Sequence, residues 1–277
     1  MGGSVSATLA RSIARAEQSE DSVARFAQLS TMSSAELAQA LGGDPARAAP
    51  WVRAAAAHGI REAQVRLGRM LLNGEGVPKD QQAAYRWFLR AARDGDADAM
   101  NMVGRCHENG WGVDASDKDA APWYRRSAEA GHDWGEYNYA HMLFDGRGDI
   151  PLDRGAAFAL YLRAAQSGHG RAMNLVGRCL EAGWGVEPDI MKAERWYMRS
   201  AQAGYFRAQF NHALALLARG DRDGALLWLE RAYEAGDEAL RDRIRALVQS
   251  LGCVEDEASA IGHAHRLAGM ASIDRSE

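Results

Sequence analysis

Two stretches of this chain carry the same polar phrase. Residues 99–113 read AMNMVGRCHENGWGV, and residues 172–186 read AMNLVGRCLEAGWGV. Each sets an asparagine, an arginine and a glutamate at steps of four and three: Asn101, Arg105 and Glu108, then Asn174, Arg178 and Glu181. On a helix those steps keep to one face. The chemistry they suit is recognition of an extended chain or an acidic group. An asparagine amide offers both a donor and an acceptor. An arginine can hold a carboxylate through two parallel N–H groups. Between the two phrases Tyr137, His141 and Phe144 stand at the same steps and suit a ligand side chain. Arg69, Arg105, His141 and Arg178 form a basic ladder. The plainer alternative is a solvated face, with Arg105–Glu108 and Arg178–Glu181 as i,i+3 pairs worth only about 0.2–0.5 kcal/mol. Trp111 and Trp184 occupy a turn position where other segments have Glu75 and Arg147. That points to exposure and partner contact; the alternative is packing over a neighbouring loop.

Little else suggests catalysis. The chain shows no zinc-ligand spacing, phosphate loop or nucleophile elbow. Glu108 and Glu181 stand too far apart to act as a carboxylate pair. The three cysteines, Cys106, Cys179 and Cys253, are too few and too spread for a disulfide framework and read as reduced thiols. Stacked helices about 10 Å wide would hold Cys106 and Cys179 on the order of 20 Å apart. His132 and His169 are expected to pack between helices. His263 and His265, two apart in the tail, are a weak metal pattern. No catalytic residue, metal ligand or cofactor is expected.

The elements that position these residues follow from a repeat. Glycines close six similar segments: Gly59, Gly95, Gly131, Gly168, Gly204 and Gly236. Eight residues earlier stand Trp51, Trp87, Trp123, Leu160, Trp196 and Trp228. Small residues recur at Gly68, Gly104, Ala140, Gly177 and Ala213, where helices can approach closely. Turns built on Gly-x-Gly begin at Gly74, Gly110, Gly146 and Gly183. Each unit reads as helix, glycine turn, helix, glycine turn. The tryptophans would bury area that one unit alone cannot bury. Taking the small residue as the core face puts Val65, Arg69 and Leu72, the three polar or aromatic triplets, and Phe210, Leu214 and Leu217 on the opposite stripe. A second ladder, Arg90, Arg126, Arg163, Arg199 and Arg231, would lie on a solvated face or bond helix-terminal carbonyls. Ser33 and Glu36 predict a capping box.

These residues resemble the Sel-one-like repeat family, a branch of the tetratricopeptide-like superfamily. The segments GEGVPKDQQAAYRWFLRAARDG from Gly74 and GWGVEPDIMKAERWYMRSAQAG from Gly183 carry the likeness. It covers residues from about 33 to 252. The first and last units depart from it by lacking Gly-x-Gly. The resemblance implies an all-α fold: an α-solenoid, a right-handed superhelix of about six helix-turn-helix repeats with capping helices. Its concave face would be lined by the first helix of each unit. The expected organisation is capping helices over 1–32, the solenoid over 33–252 with a closing helix over 238–252, and a tail over 253–277 with a short helix near 258–270. In the family, Asn138 and Asn211 would brace a turn.

Composition sets the remaining bounds. The chain has 277 residues, 25% charged and 47% hydrophobic, and a net charge of −4. That balance argues against a nucleic-acid binder. No apolar run is long enough to span a membrane. The N-terminus shows no signal-peptide pattern, so a cytoplasmic place is expected. The reading that results is a non-catalytic adaptor or accessory subunit, binding a protein or peptide segment along the concave stripe. One alternative is a hydrolase or binder of a cell-wall-related small molecule. Another comes from the likeness of the AMNxVGRC phrase to a proteobacterial subgroup: a companion subunit of an iron/2-oxoglutarate oxygenase.

Overall fold

The computed structural model describes residues 20–251. The tail readings, including the helix near 258–270 and His263 and His265, lie outside them. Within the described residues the chain forms fourteen helices and no strand. They are α1 (Glu20–Leu29), α2 (Ser34–Leu41), α3 (Pro45–Ala57), α4 (Arg61–Asn73), α5 (Gln81–Arg93), α6 (Ala97–Asn109), α7 (Asp117–Glu129), α8 (Asp133–Asp145), α9 (Arg154–Gln166), α10 (Gly170–Ala182), α11 (Ile190–Gln202), α12 (Phe206–Ala218), α13 (Arg222–Ala235) and α14 (Glu238–Ser250). Helices α2 to α13 are the six expected pairs, and α14 is the closing helix. The described residues divide into two compact units between Leu152 and Asp153.

Each unit is a helical solenoid of stacked repeats, in which helices pack on their neighbours in sequence. First helices also touch: α6 with α8 in the first unit, α10 with α12 in the second. The boundaries follow from the residues. Asp80, Asp96, Ser116, Asp153 and Asp189 cap their helices through side-chain oxygens. Ser33 and Glu36 form the expected capping box, whose bonds hold the Glu36 carboxyl below its usual range. His132 and His169 cap α8 and α10, each Nδ1 accepting a backbone N–H. They are helix caps, a role the sequence reading had not assigned.

Glycine does two jobs here. A Cβ on Gly104 would come within 2.6 Å of the Tyr124 ring, and one on Gly177 within 2.6 Å of Tyr197. Helix pairing therefore needs the missing side chain. The second glycine of each turn has φ between +69° and +74° and lies on backbone of the preceding repeat. Gly76 lies on Pro45, Gly112 on Gln81, Gly148 on Asp117 and Gly185 on Arg154, each the first residue of a second helix.

One expectation about the core needs correction. The deepest large residue is the one after the tryptophan position: Phe88, Tyr124, Tyr161 and Tyr197 are at most 3% exposed. Trp87 is buried, while Trp51, Trp123, Trp196 and Trp228 are only half-buried. The second arginine ladder is exposed, as expected, and also lies over these rings. Arg90, Arg126, Arg199 and Arg231 lie 4.4–5.5 Å above Trp87, Trp123, Trp196 and Trp228. An arginine three residues on lies over the ring, where the π face attracts it.

Candidate functional site

The first unit holds a groove of about 450 Å³. Its walls come from three first helices and their loops: Arg69 and Leu72 on α4, Asp98, Asn101, Met102 and Arg105 on α6, and Trp134 on α8, with Lys79 and Trp111 from the turns. Five residues singled out in the sequence thus meet here: Arg69, Leu72, Asn101, Arg105 and Trp111. Lys79, Asp98, Met102 and Trp134 were missed. Trp134 and Asp98 stand one residue before Gly135 and Ala99, which belong to a second series of recurring small residues with Ala63, Ala172 and Ala208, so the repeat phase held a signal for them.

Arg105 is half-buried, and its guanidinium lies 5.0 Å from the Trp111 ring centroid. Its Nη1 also points at Met102 Sδ, 3.7 Å away. The arginine and the loop tryptophan, read separately in the sequence, form one surface. The same pair recurs in the second unit, where Arg178 lies 5.2 Å over Trp184. Arg178 is exposed.

The expected stripe is not wholly opposite the core. Asn101 is 3% exposed and Asn174 5%, while Val65 and Phe210 are buried too. The next repeat covers the two asparagines. Asn138 Nδ2 donates to Asn101 Oδ1 at 2.7 Å, and Asn211 Nδ2 to Asn174 Oδ1 at 2.8 Å. Asn138 and Asn211 thus brace a neighbouring helix, where a turn had been expected. Each bond occupies the carbonyl side of the partner amide and leaves its NH₂ as donor.

The glutamates are braced as well. Tyr124 donates to Glu108 and Tyr197 to Glu181, both at 2.6 Å. Burial, followed by these bonds, pushes both phenols above their usual range. Arg147 reaches Glu108 at 3.0 Å and forks onto Asp117 at 2.7 and 2.9 Å. Glu108 therefore ties α6 to α7 and to the following turn. Arg69 is committed too: its Nη2 donates to both oxygens of Asp98, at 2.8 and 2.7 Å. His132 Nε2 lies 3.8 Å from Asp98.

On α8, Trp134 meets Tyr137 edge-on at 5.8 Å, and Tyr137 meets His141 edge-on at 4.6 Å. Phe144 is half-buried further along the helix. In the sixth repeat Leu214 is exposed and Leu217 half-buried. Burial raises the Cys106 thiol to about 12 and the Cys179 thiol to about 11. Both are buried and free. Among the described residues no three His, Cys, Asp or Glu side chains gather as metal ligands. No described helix is long and apolar enough to cross a membrane.

Comparison with known proteins agrees with this architecture. A family model described as Sel1 repeat matches residues 61–96, 97–132, 135–169, 170–205 and 207–237. The solved structure of a protective antigen of uropathogenic Escherichia coli with an SLR fold is 29% identical, with a TM-score of 0.64, over 82% of this chain and 50% of that one. A Sel1 repeat protein from Oxalobacter formigenes is 28% identical, with a TM-score of 0.62, over 78% and 89%. Chitin synthase regulatory factor 3 of Schizosaccharomyces pombe is 38% identical over 95 residues, which is 32% of this chain and 10% of that protein. The chain thus spans a tenth of that relative and half of the E. coli antigen.

Proposed function

This chain belongs to the Sel1 repeat family, and on that premise we propose that it is a non-catalytic adaptor whose first-unit groove binds a protein segment. Sel1 repeat proteins generally act as protein-interaction modules. The observation that carries the reading is the convergence of Asn101, Arg105, Trp111 and Trp134 on one groove of about 450 Å³. Asn101 is held from the next repeat, Arg69 is held by Asp98, and Arg105 is held by Met102 and Trp111 of its own repeat, so little ordering cost remains at binding. The regulatory role in the name of the S. pombe relative fits a protein that acts through partners.

The alternative of a hydrolase finds less support in the side chains. Asp98 is tied to Arg69, Glu108 to Tyr124 and Arg147, and the two thiols are held protonated by burial. None is poised as a nucleophile or general base.

The test is affinity purification from the native cell with mass spectrometry. Wild type would be run beside Arg105→Glu and Arg105→Gln. The expected result is loss of one abundant partner in both variants, with unchanged circular dichroism. An identical partner set in all three samples sinks the groove reading.

A further inference from the structure

We infer that this groove selects an extended segment carrying a carboxylate two residues away from an aromatic side chain. The inference rests on the groove reading above and adds the chemistry of the occupant.

The charges argue for the carboxylate. Three cations line the groove, Arg69, Lys79 and Arg105, against one acid, Asp98. Asp98 is already held by Arg69, with His132 beside it. Lys79 and Arg105 have no acidic partner among the described residues. An approaching acid meets two unneutralised cations, and a basic side chain meets repulsion. Arg105 lies over Trp111, with Met102 sulfur near Nη1. This fixes the guanidinium and leaves N–H groups at its edge for a carboxylate.

The walls argue for the aromatic ring. Leu72, Met102, Trp111 and Trp134 line the same groove, and Trp134 is 39% exposed. Trp134 in turn rests edge-on against Tyr137. A ligand ring adds to this row with the offset or edge geometry that aromatic pairs prefer. In an extended strand, side chains two residues apart point the same way and lie roughly 7 Å apart. The Arg105 guanidinium and the Trp111 ring are 5.0 Å apart, and groups resting beside each stand farther apart than that, which suits the spacing of two same-side side chains on one extended segment. The Asn101 NH₂ is placed to donate to a ligand backbone carbonyl, because Asn138 fixes the amide by its oxygen.

The fifth repeat supplies an internal control. It has the same Asn174, Arg178 and Trp184, but Arg207 stands where the third repeat is followed by Trp134. Arg207 is bonded to Asp237. Arg171 stands where Asp98 does. The phrase is present there without a counterpart of Trp134.

The experiment titrates the full chain with a short acetylated, amidated peptide in a Gly/Ser background. The peptide carries Glu and Phe two residues apart, and binding is followed by tryptophan fluorescence and calorimetry. Saturable binding is expected, weakened at least about tenfold by Glu→Gln or Phe→Ala in the peptide. Arg105→Gln or Lys79→Gln in the protein should weaken it to a similar degree, and Arg178→Gln by less than about twofold. Added salt should lower the affinity. A Gln–Phe peptide with a free terminal carboxylate tells whether a chain end serves as well as a side chain; either source meets the inference. It is overturned if a Lys–Phe peptide binds as tightly, if the Glu–Phe peptide does not bind, or if Arg178→Gln weakens binding and Arg105→Gln does not. The groove reading survives those outcomes if the partner is still lost from the Arg105 variants in cells.

Discussion

In the third repeat Glu108 lies between Tyr124 and Arg147, and Arg105 is half-buried against Trp111. In the fifth, Glu181 has Tyr197 but stands exposed, and Arg178 is exposed over Trp184. The framework inside the two repeats is the same. Ser127 donates to the Ala97 carbonyl as Ser200 does to that of Gly170, and each asparagine is bonded from the next first helix. The surroundings differ because the next repeat contributes Trp134 in one case and Arg207 in the other, and because the fifth repeat has Arg171 where the third has Asp98. A repeat phrase therefore specifies a scaffold, and its neighbours decide what that scaffold can hold.

The largest expected effect tests the shared part. Gly112→Ala and Gly185→Ala each place a Cβ on the backbone of Gln81 or Arg154 at a positive φ. Each should lose about 2–5 kcal/mol in urea unfolding, by equal amounts. Unequal losses would break the claim that the two scaffolds are equivalent. Tyr124→Phe and Tyr197→Phe come next. Tyr124 is fully buried and bonds a partly covered carboxylate, so its loss should cost about 1–2 kcal/mol. Tyr197 faces the exposed Glu181, so its substitution should cost less, roughly half as much.

A third test uses pH. His107 is buried near Tyr85, where the fifth repeat has Leu180. Burial lowers its pKa below the ordinary histidine value. The unfolded chain then takes up the proton first as the pH falls. Stability is full above about pH 6.5 and declines below it, until the lowered folded pKa is passed. His107→Leu should flatten the melting temperature between about pH 7 and 5. The remaining slope includes His212, whose pKa burial also lowers. A curve unchanged by the substitution would show that this site carries no proton linkage. The smallest difference concerns the thiols, raised to about 12 at Cys106 and about 11 at Cys179. Both should resist labelling near pH 8 in the native protein, and Cys179 should react first as the pH is raised. Equal rates would mean that labelling follows local opening and not thiolate formation.

The sequence made the repeat legible because its signals are local. A small residue, a following turn and a tryptophan at fixed offsets mark each helix pair, and Ser33–Glu36 marks a cap. The site was less legible because its contacts cross repeats. A helical wheel drawn on α6 alone puts Asn101 on an outer face. Asn138, a full repeat later, covers it. The wheel also separated Arg105 from Trp111, since the tryptophan lies beyond the helix end. The arginines over the tryptophans are exposed, as their charge suggests, and what the sequence did not show is the ring face beneath them as a second partner. Asp98 and Trp134 lie just before the small repeat positions, outside the stripe that was drawn.

The seating of each second glycine gives the array a direction. Gly112 rests on the start of α5, Gly148 on the start of α7 and Gly185 on the start of α9, always one repeat back. Each Gly-x-Gly turn is therefore seated on a helix made before it. As the chain leaves the ribosome from its N-terminus, every new turn finds its seat already synthesised. Growth of the fold can keep pace with translation, one repeat at a time, with no wait for the far end.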